Sequence, residues 1–178
     1  MAWTRRNPAG LAAIWSLSLL IAATPAAAQN RLEYSVKANY LVRFAAFVDW
    51  PARAFASAVS PMVICVVGRD PFAGGLDAAV RGQTAHGRLL TVRRPAATAL
   101  TGCHIVYVGQ GGGAALTAAS PTGVLVVTDS AVGSERGAVH FVLSESRVRF
   151  HIDQTAASRN GLTISSRLLN LALSTRGG

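Results

Sequence analysis

Three short, mostly apolar runs constrain this chain more than any other feature: the continuous Met62–Val67 (MVICVV), then Cys103–Val108 (CHIVYV) and Val124–Thr128 (VLVVT). Each is short for a helix and rich in β-branched residues, so each reads as a strand covered on both faces. A strand with one wet face would alternate apolar and polar residues. Double burial calls for helices above and below the strands, which is the geometry of a mostly parallel α/β sheet. The intervening segments fit that demand. Glu33–Val48 carries Val36, Tyr40, Leu41, Phe44, Phe47 and Val48 at helical spacing, and Pro51 stops it. Pro71–Val80 and Ala114–Ala119 read as shorter helical pieces, and Leu89–Val92 as another strand.

The pattern changes towards the C-terminus. Val139–Leu143 and Arg147–Ile152 read as a hairpin around Ser144-Glu145-Ser146. In its second strand Val148, Phe150 and Ile152 share one face, while Arg147, Arg149 and His151 share the other. Leu162–Leu173 reads as a closing helix. The expected fold is therefore a single-domain α/β structure: a mostly parallel sheet flanked by helices, with a C-terminal antiparallel hairpin and a closing helix. If the first and third strands are neighbours, as in common doubly wound orders, Cys65 and Cys103 come within bonding range.

The first 28 residues read as a secretory signal peptide. Arg5 and Arg6 supply the charge, Leu11–Ala23 the apolar core, and Ala26-Ala27-Ala28 the small residues before a cut at Gln29. The apolar run is shorter than the roughly 20 residues of a spanning helix. Residues 29–178 are then the working domain, not embedded in a membrane. Without Arg5 and Arg6 the chain keeps 15 of its 17 basic residues against 8 acidic ones, and only Lys37 among them is a lysine. The arginines form no block or stripe, and export removes nucleic acid as a partner, so a solvated basic surface is expected.

An even cysteine count in an oxidising compartment favours a Cys65–Cys103 disulfide over two buried thiols. No His or Cys stands at metal-ligand spacing, so no metal and no cofactor are expected. Gly109-Gln-Gly111-Gly112-Gly113-Ala114 fits G-x-G-x-x-A after a strand, with Asp129 where a ribose-binding acid could stand. It follows the third strand rather than the first, and its helix is short and interrupted at Pro121, so a glycine loop is the better reading. There is no G-x-S-x-G, and His86, His104, His140 and His151 are scattered, as are the carboxylates. No catalytic residue is assigned, and an enzyme is not expected. Phe44, Phe47 and Trp50 cluster at the end of the first helix, where Trp50 either covers the core edge or anchors a partner.

Taken together, Tyr40–Pro51 (YLVRFAAFVDWP), Ile64–Phe72, Cys103–Gly109, Val148–Asp153 and Gly161–Ala172 resemble the YfiR-like family of bacterial periplasmic proteins, over essentially the whole mature chain. The resemblance implies a periplasmic α/β protein, often dimeric, which allows a homodimer here. It implies a non-enzymatic regulator that binds and represses the periplasmic sensor domain of an inner-membrane diguanylate cyclase, lowering cyclic-di-GMP and biofilm formation. It also implies a disulfide between Cys65 and Cys103. The second cysteine pair of some members is absent, since Gly137–Arg149 contains no cysteine. The partner surface is expected at Phe47 and Trp50 with Leu168 and Leu169 of the closing helix. The competing reading is a small-ligand-binding module that uses the Gly109 loop, or a cleft at the strand ends, and reports to another membrane sensor such as a histidine kinase. The leader is directly testable: N-terminal sequencing of the exported protein should begin at Gln29, and a mature chain that still begins at Met1 would contradict it.

Overall fold

Burial on both faces of the central strands organises the structure. The computed structural model describes residues 1, 25–118 and 123–177. Residues 2–24 of the expected leader (1–28) and the expected break at Pro121 lie outside the described residues. Helix α1 (Pro25–Phe47) leads into a two-residue strand β1 (Val48–Asp49) and a 3-10 turn at Ala52–Ala54. Next come β2 (Met62–Val67), α2 (Gly75–Val80), β3 (Thr84–Ala85), β4 (Arg88–Arg93), β5 (Ile105–Val108) and α3 (Ala114–Ala118). After β6 (Leu125–Asp129) come the hairpin strands β7 (Val139–Ser144) and β8 (Arg147–Asp153). The chain ends with α4 (Gln154–Arg159), β9 (Thr163–Ile164), α5 (Ser166–Leu169) and β10 (Ser174–Arg176).

Eight strands form one sheet in the order β10-β8-β7-β6-β5-β2-β4-β3. From β4 through β2, β5 and β6 to β7 every pairing is parallel, whereas β8 runs antiparallel to β7 and β3 to β4. This is the α/β architecture expected, a mixed sheet with a C-terminal hairpin and helix. The strand faces explain the continuous apolar runs. Met62, Ile64 and Val66 of β2 enter a large core shared with α1, α2 and α5. Val63, Cys65 and Val67 enter a smaller core on the opposite face with Leu100, Cys103, Val106 and Ala115.

The main helix buries a stripe of Ala38, Leu41, Phe44 and Ala45, all at most 1 % exposed, which Val48 of β1 continues. This spacing keeps one helical face on the sheet. Phe44 and Tyr40 pack their rings against Phe150 at 5.3 Å each. The hairpin turns on Glu145 and Ser146, whose φ values of 52° and 59° meet the demand of a two-residue primed turn.

The closing helix is shorter than the Leu162–Leu173 segment expected for it. Leu162 and Ile164 are buried two residues apart, an extended rather than helical spacing, and Ile164 pairs with Val48. Ser165 caps a single turn, α5, by accepting from Leu168 N, and the chain then returns to pair with β8. The extra helix α4 starts from Asp153, whose carboxylate accepts from Ala156 N at 2.9 Å.

β2 and β5 are neighbours, and Cys65 is bonded to Cys103 with 5.8 Å between their Cα atoms. The bridge closes a 38-residue separation and joins β2 to the turn preceding β5 inside the smaller core. In the chain-entropy model such a loop is worth about 4 kcal/mol. Replacing both cysteines with alanine should lower the unfolding free energy by about 2–4 kcal/mol in urea titration, and an unchanged midpoint would show that the bridge does not stabilise the fold.

Candidate functional site

In an open parallel sheet, ligands bind beyond the carboxyl ends of the strands where the strand order reverses. Here that position lies between β2 and β5, because the chain moves outward to β4 and then returns to β5 on the other side of β2. The crevice is closed by backbone. Gly109 N donates to Val67 O and Arg69 N donates to Gln110 O, both at 2.8 Å. A Cβ on Gly68 would lie 2.6 Å from Gln110 O and 2.7 Å from Gly112 N, and one on Gly112 would lie 2.8 Å from Val67 O. The glycines therefore let two strand-end turns cross in contact. They are a packed crossing, tighter than the loose loop the sequence suggested, and leave no space for a pyrophosphate at this point.

The acid that completed the apparent nucleotide fingerprint is also occupied. Asp129, 1 % exposed at the end of β6, accepts from Lys37 Nζ at 2.8 Å and from the Tyr107 hydroxyl at 2.5 Å. Its other oxygen accepts from Ala131 N at 2.9 Å. Lys37, 2 % exposed on the buried side of α1, also contacts Glu33 at 2.5 Å, one helical turn earlier. Its ammonium lies 4.5 Å from the centre of the Tyr34 ring. Burial alone would raise the Asp129 pKa, but hydrogen bonds from Lys37 and Tyr107 outweigh it and hold the value below the usual range. Burial would likewise lower the Lys37 pKa, and the bonds to Asp129 and Glu33 raise it instead. Burial, followed by the Asp129 charge, pushes the Tyr107 hydroxyl well above its ordinary value. Tyr107 thus keeps its proton, and the network is a closed set of paired groups.

Two histidines are similarly held neutral. His104 Nδ1 accepts from Val63 N at 3.0 Å, which leaves Nε2 to donate to Ala54 O at 3.1 Å. The Phe55 ring stacks on it with 4.4 Å between centres. The Thr128 hydroxyl accepts from Gly137 N, which leaves its proton to face His140 Nδ1 at 2.8 Å. Burial and then the nearby Arg136 charge depress His140 to about 4. Burial also lowers His104. Among the described residues no group of three or more His, Cys, Asp or Glu side chains is placed to hold a metal.

The residues expected at the partner surface are partly brought together. Strand β1 pairs with β9, and Ser165 N donates to Phe47 O at 3.0 Å, so the end of α1 adjoins the start of α5. Phe47 and Leu169 are half-buried against the large core. Leu168 is only 1 % exposed, so its side chain is spent on the core and leaves no surface for a partner. Trp50, also half-buried, turns towards β5, where Nε1 donates to His104 O at 3.3 Å and the ring meets His86 edge-on. Sequence reasoning missed the Lys37–Asp129 network, because a lysine between apolar helix positions reads as solvated.

Two measurements probe this arrangement. Lys37→Met leaves Asp129 buried without its cation and should cost about 3–5 kcal/mol in urea titration. Adding Asp129→Asn should recover part of the loss, and a single variant as stable as the parent would contradict the pairing. For the histidines, the unfolded chain titrates near 6.5, while folded His140 titrates at about 4. Between those values the unfolded state binds more protons, so stability falls as pH drops from about 6.5 to about 4. His104 contributes with the same sign. His140→Phe should make this slope shallower, and an unaltered slope would contradict the assignment.

Comparison with known families matches residues 34–173 to the model described as YfiR/HmsC-like. A search of curated proteins finds no match. The matched span runs from the first aromatic contact of α1 through α5 and therefore includes both cores, the disulfide and the Lys37–Asp129–Tyr107 contacts. The chain belongs to the YfiR/HmsC-like family, a family of periplasmic, non-catalytic regulators of cyclic-di-GMP signalling.

Proposed function

We propose that this protein binds the periplasmic sensor domain of an inner-membrane diguanylate cyclase and holds the enzyme inactive. The observation that carries the reading is the family match over residues 34–173. The N-terminal sequence supports export, and no described helix is long and apolar enough to cross a membrane. The packed glycine crossing and the occupied Asp129 favour a binding regulator over a nucleotide-dependent activity. A homodimer remains part of the proposal as the assembly that presents the surface.

Repression of this kind requires differential affinity: the regulator must bind the inactive conformation of its partner better than the active one. Moving a two-state partner from 1:99 to 99:1 takes about 5.5 kcal/mol of preference. Aromatic and apolar anchors at the centre of an interface are suited to supply it. On this surface they are Phe47, Trp50 and Leu169, with buried Leu168 holding α5 in place beneath them.

The test is titration calorimetry between the exported protein and the cyclase's purified periplasmic domain. Saturable binding is expected. Trp50→Ala and Leu169→Asp, checked for unchanged circular dichroism and melting, should each weaken it at least about tenfold, as loss of a hot spot does. No binding by the parent protein would overturn the cyclase as partner, and full binding by both variants would overturn the surface.

A further inference from the structure

The sheet turns a second face away from α1, and its C-terminal strands carry polar groups there that the partner surface does not use. Val139 and Phe141 of β7 and Phe150 and Ile152 of β8 enter the large core beneath α1. By strand alternation His140 and His151, which lie between them, point the other way. The two histidines are register partners across β7 and β8, and Ser174 of β10 is the register partner of His151. Hydrogen bonds place these side chains on one face. His140 Nδ1 meets the Thr128 hydroxyl at 2.8 Å, and His151 Nδ1 meets the Ser174 hydroxyl at 2.6 Å. His140, His151 and Ser174 line a cleft of about 230 Å³, together with Arg136 from the segment before β7 and with Asp153 and Arg176. Phe47, Trp50 and Leu169 pack against the core on the α1 side, so this cleft is separate from the partner surface proposed above.

Hydrogen-bond partners fix where the protons in this cleft sit. Thr128 accepts from Gly137 N and donates to His140 Nδ1, so the neutral imidazole carries its own proton on Nε2. His140 is 2 % exposed, and its Nε2 has no hydrogen-bond partner among the described residues. That N–H is an unspent donor on a residue lining the cleft. At His151 one donor is also left over: Nε2–H if Ser174 donates to Nδ1, and the Ser174 hydroxyl if Nδ1 donates to it. Arg136 gives Nη1 to Gly133 O and enters no ion pair among the described residues. The acid of the lining is spent, since one Asp153 oxygen accepts from Ala156 N and the other from Arg176. A proton on His140 Nε2 and a paired Asp153 disfavour a cation, and among the described residues no group of such side chains is placed to hold a metal. The arrangement calls for an acceptor with negative charge, which guanidinium and imidazole N–H groups bind by charge-assisted hydrogen bonds.

We propose that this cleft binds a free tetrahedral oxyanion of the phosphate class, held by His140 Nε2, the Arg136 guanidinium and the His151–Ser174 pair. Donors from separate segments suit oxygens that diverge from one centre. The volume lies below the roughly 300–1,000 Å³ of small-molecule sites and fits a compact ion. Inorganic phosphate is the probe, titrated calorimetrically into the exported protein at constant ionic strength in chloride. Saturable binding of a single ion per chain is expected. Arg136→Ala, at an exposed position, and His140→Phe, each with melting no lower than the parent's, should weaken it at least about tenfold, the scale of one hydrogen bond to a charged group. Arg81→Ala, exposed after α2 on the α1 side of the sheet, should bind as the parent does. No saturable binding, or undiminished binding by the Arg136 or His140 variant, would overturn the proposal. So would an equal loss in the Arg81 variant, which would mark diffuse attraction to a basic protein. Vesicles of phosphatidic acid separate a free ion from a lipid head. The parent and the Arg136→Ala variant should co-float alike, and co-flotation lost only in the variant would overturn the free ion in favour of the membrane.

Discussion

The contact of Lys37 with Asp129 governs the arrangement of the rest. It places the chain's single lysine beneath α1, 2.8 Å from a carboxylate at the end of β6. Two charges removed from water are costly, and such a pair adds little net stability over apolar residues of the same volume. What it fixes is position. Only one rotation of α1 about its axis brings Lys37 to Asp129, and that rotation also lays Leu41, Phe44 and Ala45 on the sheet. The Tyr107 hydroxyl gives the same carboxylate a second donor, tying β5 into the arrangement.

This placement has a chemical consequence. The carboxyl ends of the central strands are where an α/β sheet ordinarily offers a ligand site. Here Asp129 is committed to Lys37 and Tyr107, while Gly68, Gly109 and Gly112 let the adjacent turns touch. His104 and His140 are held as neutral, hydrogen-bonded parts of the core. The Cys65–Cys103 bridge secures the opposite face. The sheet's usual crevice is therefore closed, and the proposed partner surface lies outside it.

Much of this was legible in the residues. The run at Met62 announced a doubly buried strand because every position in it is apolar, the run at Cys103 is apolar but for His104, and the neighbouring pair they form is the one that brings the cysteines together. The hairpin was readable from its alternation of Val148, Phe150 and Ile152 with Arg147, Arg149 and His151. Other elements were not legible. β1, β9 and β10 span only two or three residues and exist because a neighbour offers backbone partners, which no local pattern records. Leucines between Leu162 and Leu173 imitate one long helix, although Ser165 and the need to pair with β8 break it. Leu168 looked like a surface anchor because burial by α1 and the sheet is a tertiary fact. The Lys37–Asp129 pair was hidden for the same reason, being 92 residues apart.

The proposed function is regulation of a membrane cyclase by binding. The most direct measurement is the cyclic-di-GMP content of cells, by mass spectrometry, in three strains: parent, one lacking this protein, and one lacking both the protein and its partner cyclase. Loss of the protein alone should raise the nucleotide several-fold, and loss of the cyclase as well should abolish the rise. An unchanged level on deleting the protein, or a rise that persists without the cyclase, would contradict the account.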